Sequence, residues 1–396
     1  MKAATSPLPV PDGRVIFFIP LPDRAKGLNG AVLAAQTALE ALSEACETEV
    51  VEMRYRWVHI PGTRRSLRSL LAKLTDHRAS LADLGLALGR SRHVPVTLFI
   101  IAASTLGGTI RDVLSMRFAL RRHKDLRIVL SSHNGDFFNP KGRLRTRLRR
   151  WQLATCSRSI CLSHRLLPAP DLLLRVLPPE QADKLRVVAN TVDPDMIATP
   201  DELAEKARHR GPVHVLYFSN FIPSKGYRVL GAAIRRIADA GHLESFRFTF
   251  RGTWPVPELE AEFRKELGHD ILASGRVDIG GAVWERAEAR RLMLDADVFC
   301  LPTSYPTEAQ PRSVLEAMAN GCAIVASAHA AIPDMVTSGE NGLCKRDIGA
   351  EDIAAFLLTT DRETLAAQGA ASRTRFDADF SRERFRQARM DAVLCR

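Results

Sequence analysis

Short, wholly apolar runs alternate along the chain with longer stretches whose apolar residues recur at helical spacing. The first run, RVIFFIPL at 14–21, has the pattern of a strand buried on both faces of a parallel sheet. A polar loop follows, with Gly27, Leu28, Asn29 and Gly30, and then AVLAAQTALEAL places apolar side chains at 32, 35, 39 and 42, the helical period. The rhythm continues with TEVVEMRY (48–55) as strand, SLRSLLAKL (66–74) as helix, VPVTLFIIA (94–102) as strand, Thr109–Arg122 as helix and LRIVLSSH (126–133) as strand. Such a βαβ alternation predicts a parallel sheet covered by helices. SRSICLSH (157–164) closes this first set. A second set opens at VHVLYFSNF (213–221) and includes FRFTFRG (246–252), ILASGRV (271–277), VFCL (298–301) and CAIVAS (322–327) as strands.

Composition bounds this picture without changing it. The 396 residues suffice for two domains with their own cores. Seven cysteines are scattered with no C-x-x-C, which fits a reducing compartment and speaks against a zinc site or disulfide framework. MKAATSPLPVPDG at the start lacks a signal-like apolar core, and VPVTLFIIAA is too short for the ~18 residues of a membrane span. The expectation is a cytoplasmic protein. Charge is uneven: residues 51–150 carry 21 Lys and Arg against 6 Asp and Glu, a net of +15 in a chain of net +11, so the rest sums to −4. A basic half implies an anionic partner, be it a membrane surface, a phosphorylated substrate or nucleic acid.

The chemistry concentrates in LPTSYPTEAQPRSVLEAMANGCAIVAS, residues 301–327. It reads as strand end, loop, a helix of about ten residues opened by Pro311 and closed by Gly321, and a second strand. The first amides of that helix belong to Arg312, Ser313 and Val314, and a helix N-terminus attracts phosphate. Glu308 precedes the helix and Glu316 lies inside it, eight positions later. One segment thus offers a phosphate seat with two carboxylates beside it, which suits a phosphorylated sugar.

PTEAQPRSVLEAMANGCAIVAS resembles the E-x7-E segment of the family 4 retaining glycosyltransferases of GT-B fold. The resemblance continues through Ile332-Pro333-Asp334 and Asn341-Gly342-Leu343. It implies an α/β chain of two Rossmann-like, doubly wound parallel-sheet domains facing a cleft. The acceptor-side domain would span 1–195, with a helix near 377–396 returning to it, and the nucleotide-sugar donor domain 196–376. KLRVVANTVDP (184–194) resembles the crossing segment, with Thr191 in place of the usual glycine. The resemblance makes Glu308 the group beside the donor sugar and Glu316 the ribose ligand. Gln310, Arg312, Ser313 and Val314 complete the donor site.

The second segment of the resemblance is FSNFIPSKGYRVL, where Lys225 opens a helix and would clamp the diphosphate. The family usually has an Arg five residues earlier; here that position is Asn220, and Arg251 or Arg276 is expected to supply the missing cation. His133 closes a strand at the end where open α/β sheets bind ligands, and the resemblance implies a substrate-orienting role beside Glu308 in catalysis. Asn29 and Gly30 fall in the family's loop near acceptor and phosphates; their glycine spacing does not fit the dinucleotide fingerprint, and an ordinary turn is the equal alternative. Asp295 and Asp297 in DADVF are read as structural, so no metal and no cofactor is expected.

KGRLRTRLRRW (141–151) carries six basic residues and no acid. Leu144, Leu148 and Trp151 would form one apolar stripe among Arg145, Arg147, Arg149 and Arg150, the pattern of a helix lying on an anionic membrane. A core-packed helix with a solvated basic face fits equally well. The functional expectation is a retaining, metal-independent glycosyltransferase that takes its sugar from a nucleotide-diphosphate donor. The acceptor is a saccharide, lipid-linked, in surface polysaccharide assembly on the inner face of a membrane. A GT-B nucleotide-sugar epimerase or hydrolase is the alternative. A nucleic-acid-binding protein fits less well, because the basic region lacks interleaved aromatics.

Overall fold

The computed structural model describes residues 13–21, 30–44, 46–54 and 67–394. The chain forms two compact units, 1–189 with 383–396, and 190–382.

The first unit is built on a six-stranded sheet: β1 (Arg14–Ile19), β2 (Glu47–Glu52), β3 (Val96–Ala102), β4 (Leu126–Ser132), β5 (Arg158–Cys161) and β6 (Leu185–Val187). Every pairing is parallel, in the order β2-β1-β3-β4-β5-β6. Its helices include α1 (Gly30–Ser43), α2 (Leu67–Arg90), α3 (Leu106–Arg122) and α4 (Arg143–Thr155). Helix α2 extends far past the SLRSLLAKL seen in the sequence, and Leu84, Ala87 and Leu88 give its second half a buried side, whereas Leu71 and Leu74 are exposed. Helix α3 begins at Leu106, where the Thr105 hydroxyl caps the Gly108 amide.

One face of this sheet is covered by α1 and by the C-terminal helix, Arg382–Val393. Ala35, Ala38 and Ala41 present a small-residue face to Val15, Phe17 and Ile19. Phe385, Met390, Ala392 and Val393 fill the same core over Phe99, Ile101 and Val129. Residues of the helix Arg382–Val393 thus belong to the first unit's interior.

The second unit carries β7 (Val213–Phe218), β8 (Phe246–Arg251), β9 (Val277–Gly280), β10 (Val298–Leu301), β11 (Ala323–Ser327) and β12 (Gly342–Lys345). These are again all parallel, in the order β12-β11-β10-β7-β8-β9. The chain runs outward from β7 through β9, then crosses back to lay β10 on the other side of β7. The β7/β10 seam is therefore the topological switch point, where the loops leaving the strands diverge and open a ligand crevice. ILASGRV does not form the expected strand. His269–Ala273 is helical, Gly275 takes a left-handed φ of 72°, and β9 starts only at Val277.

Candidate functional site at the β7/β10 switch point

The loop leaving β7 reaches Lys225 through a short turn, Pro223–Lys225, and Gly226 then starts the helix Tyr227–Asp239. Gly226 has φ of 86°, and a Cβ there would lie 2.1 Å from the carbonyl oxygen of Pro302. Only glycine permits that conformation at that approach. The loop leaving β10 is thereby packed against the loop leaving β7, and the Ser304 amide donates to the Ser224 carbonyl at 2.7 Å. Beneath them lies an aromatic cluster in which Phe221 stacks on Trp254 with ring centroids 3.8 Å apart, and Tyr227 meets both edge-on.

This seam brings the two expected site residues together. Lys225 Nζ donates to Glu308 Oε2 at 2.7 Å, with 15% and 9% of the side chains exposed. Thr303 Oγ1 lies 3.3 Å from the same carboxylate oxygen, and the ammonium sits 4.7 Å from the centre of the Tyr305 ring. His329 Nε2 and the Tyr305 carbonyl, 2.8 Å apart, tie the loop to the segment after β11. Thr303, Tyr305 and Trp254 escaped the sequence reading. The first two lie inside the diagnostic segment, but no spacing rule marks a threonine or a tyrosine as a partner of a glutamate.

The helix after this loop runs Arg312–Ala319, and no side chain caps its N-terminus. The Val314 amide already donates to the Pro311 carbonyl at 3.2 Å. With Val314 already turned to the Pro311 carbonyl, the amides of Arg312 and Ser313 are the first-turn donors most open to an anion. The Arg312 side chain, 6% exposed, points to Asp193 at 3.1 Å. Asp193 in turn meets Arg286 at 2.7 Å, and Arg286 also clasps Asp195 through two bonds of 2.7 Å. Arg286 holds the Asp195 carboxyl below its ordinary range. Glu316 is nearly buried, and desolvation pushes its carboxyl up; Arg312, 3.9 Å away, offsets this only in part.

Several expected donor ligands stand elsewhere. Gln310 is buried, and its side-chain oxygen accepts the Asn190 amide at 2.6 Å, so it braces the start of the second unit and does not present itself to a ligand. Arg276 precedes β9 and pairs with Glu244, which precedes β8. Both lie at the amino edge of a parallel sheet, opposite the switch-point crevice, so Arg276 cannot supply the missing cation. Arg251 ends β8 at the correct edge but is tied to Asp278. Asn220 is exposed after β7, its carbonyl accepting the Tyr217 hydroxyl at 3.2 Å. Asp297 accepts the His214 amide at 2.8 Å and pairs with Arg362 at 3.1 Å.

In the first unit, His133 follows β4, with Nε2 3.1 Å from the Ser131 hydroxyl. Gly30 is the first residue of α1, and Asn29 lies outside the described residues. The expected membrane face of α4 needs correction. Arg149 is fully buried, donating to Gln152 at 2.8 Å and to the Ala103 carbonyl at 2.7 Å, with its guanidinium 3.8 Å from the Phe137 ring centre. Burial pushes Arg149 down to about 10. Arg145, 12% exposed, is paired with Asp136 at 2.8 Å. These two hold α4 against its own unit, whereas Lys141, Arg143, Arg147 and Arg150 are exposed beside Leu144, and Trp151 is half-buried. Among the described residues no helix is long and apolar enough to cross a membrane.

The fold is of the GT-B class, two Rossmann-like parallel-sheet units each flanked by helices. Residues 212–360, which span the switch-point site, match the family model described as Glycosyl transferases group 1. HepE of Anabaena, solved in complex with UDP and glucose, aligns with a TM-score of 0.68 and 15% identity, covering 96% of this chain and 100% of that one. Sucrose-phosphate synthase from Thermosynechococcus elongatus aligns with a TM-score of 0.66 and 18% identity, over 94% and 96%. Among curated sequences, the amylovoran biosynthesis glycosyltransferase AmsK of Erwinia amylovora is 26% identical over 181 residues, 45% of this chain and 42% of that protein. WcaL of Salmonella typhimurium, named for colanic acid biosynthesis, is 26% identical over 179 residues, 43% and 42% of the two chains. The match thus spans less than half the length of either curated relative.

Proposed function

We propose that the chain is a retaining glycosyltransferase that moves a sugar from a nucleotide-diphosphate donor to a saccharide acceptor. The observation that carries this reading is the Lys225–Glu308 pair at the β7/β10 switch point, beside an uncapped helix N-terminus. A departing diphosphate needs positive charge that is already in place, and Lys225 with the amides of Arg312 and Ser313 provides it without a metal. Glu308, released from Lys225 as phosphate takes its place, holds the hydroxyls of the donor sugar and faces the positive charge that develops at its anomeric carbon. Glu316 accepts the ribose hydroxyls. His133 orients the sugar from the acceptor side.

The relatives named for amylovoran and colanic acid biosynthesis support an acceptor in surface polysaccharide assembly, and the UDP complex of HepE supports a uridine donor. The acceptor in this reading is lipid-linked, which the exposed cations of α4 suit by favouring a peripheral position on the anionic inner face of a membrane. Thermal shifts against a panel of nucleoside diphosphates, followed by transfer assays with the matching sugar donors and lipid extracts, test this. A selective shift with one diphosphate and acceptor-dependent turnover is the expected result. Donor consumption without any acceptor would make the protein a hydrolase or epimerase, and the absence of any diphosphate shift would remove the reading.

A further inference from the structure

Arg389, on the C-terminal helix, is fully buried under the first sheet. Its guanidinium lies over the Phe385 and Phe99 rings, 5.1 and 5.8 Å from their centres, and burial pushes it down to about 9, which leaves it charged at neutral pH. Among the described residues no carboxylate pairs with it, and its Nε and Nη2 have no hydrogen-bond partner. Placing an uncompensated cation in a core is costly, and among the described residues Arg389 makes a single side-chain hydrogen bond. Nη1 donates to the Ser131 hydroxyl at 3.0 Å.

Ser131 is buried on β4, two residues before His133 and therefore on the same side of the strand. Its Oγ lies 3.1 Å from His133 Nε2. A guanidinium has donors only, so Ser131 must accept from Arg389. The hydroxyl then has a single hydrogen to place, and among the described residues His133 Nε2 is the other polar atom in contact with it. The positive charge behind Ser131 reinforces this orientation by drawing the oxygen lone pairs toward itself.

We propose that Arg389, acting through Ser131, fixes His133 as the tautomer protonated on Nδ1, making this histidine a hydrogen-bond donor and not a base. Nε2 is occupied as an acceptor, and the ring meets the rest of its surroundings with the Nδ1–H. Arg389 and Ser131 are positioning residues in this scheme. Nothing in the sequence around His133 points to a residue more than two hundred positions away. The use made of that donor, to orient the sugar, rests on the glycosyl-transfer reading above; the tautomer itself does not.

The test is a long-range proton–nitrogen correlation spectrum of the full ¹⁵N-labelled chain near neutral pH, with the His133 signals identified by their loss in His133→Gln. Wild type should show a protonated Nδ1 and an unprotonated Nε2. Ser131→Ala should move the ring toward the Nε2-protonated form, while Ser131→Thr, which keeps the hydroxyl, should restore the wild-type pattern. Arg389→Met should loosen the preference as Ser131→Ala does; should that variant fail to fold, the two Ser131 variants carry the test. In transfer assays Ser131→Ala should lower kcat about threefold to tenfold with the donor KM unchanged, the size of one neutral hydrogen bond. A wild-type ring protonated on Nε2, or a Ser131→Ala spectrum identical to wild type, overturns the proposal. If the tautomer shifts as expected but His133→Gln transfers sugar at the wild-type rate, the relay stands and the sugar-orienting role of His133 falls.

Discussion

Lys225 and Glu308, 83 positions apart, share a 2.7 Å ion pair across the seam between β7 and β10. On the proposed reading, a donor that binds here exchanges this mutual contact for its own contacts to Lys225 and Glu308. Lys225→Ala removes a charge-assisted hydrogen bond to diphosphate of about 1.5–3 kcal/mol, and its binding should weaken about tenfold or more. Glu308→Gln should abolish transfer while leaving diphosphate affinity within a few-fold of wild type or slightly tighter, because Lys225 no longer has a competing carboxylate. Calorimetric titration of both variants and the double mutant checks this. Additive effects on binding would show that the two residues are not coupled through the ligand.

Gly226→Ala places a methyl group where 2.1 Å separates it from the Pro302 carbonyl, in a left-handed backbone conformation. The two loops must part. A loss of at least about 2 kcal/mol in stability is expected, together with loss of diphosphate binding. Denaturant titration and binding on the same preparation decide the matter, and near-wild-type values for both would show that the close approach is dispensable.

Glu316 has its carboxyl raised by burial, so the folded state holds that proton more tightly than the unfolded chain does. As pH rises from the ordinary glutamate value of 4.5 through the raised folded value, ionisation therefore costs the folded state stability. Glu316→Gln removes that cost. Its melting temperature should exceed that of wild type at about pH 8 by more than at about pH 5. A gain that grows toward acid would contradict the burial argument.

On α4 the arginines divide into two groups with opposite expected phenotypes. Replacing Arg143, Arg147 and Arg150 with Gln should weaken salt-sensitive binding to anionic vesicles by about 1 kcal/mol per residue and leave the melting temperature nearly unchanged. Arg149→Gln should instead cost about 2–4 kcal/mol of stability, because it removes a buried guanidinium from the Ala103 carbonyl and the Phe137 ring. Co-sedimentation and thermal melting separate the two. Wild type that ignores anionic vesicles at low salt removes the membrane reading.

Those arginines show where the sequence stops being readable. Six cations without an acid look alike in one dimension. What sorts them is a carbonyl at 103, an aromatic ring at 137 and a carboxylate at 136, contributed by other elements. The strands β1, β3, β4, β7, β10 and β11 were visible because continuous apolar runs have few other uses. ILASGRV failed because a short apolar run serves a buried helical turn equally well, and Gly275 decided between them through a conformation that composition does not reveal. The Glu308 and Lys225 loops could each be singled out along the chain. Their meeting depends on the strand order, which places β10 beside β7 and not beside β9. Arg276 misled for the same reason, since the edge of the sheet it occupies is fixed by where β9 begins.

The placement of Phe385, Met390, Ala392 and Val393 in the core of the first unit has a consequence for biosynthesis. A ribosome releases the β1–β6 segment long before it makes the helix that seals one face of that sheet. The second unit, contiguous in sequence, can complete itself while the first still exposes the surfaces of Val15, Phe17 and Val129. Stop codons or proteolytic clipping near residue 380 would therefore injure the opposite end of the gene product, and the nascent chain carries its greatest need for chaperone protection in the half that is translated first.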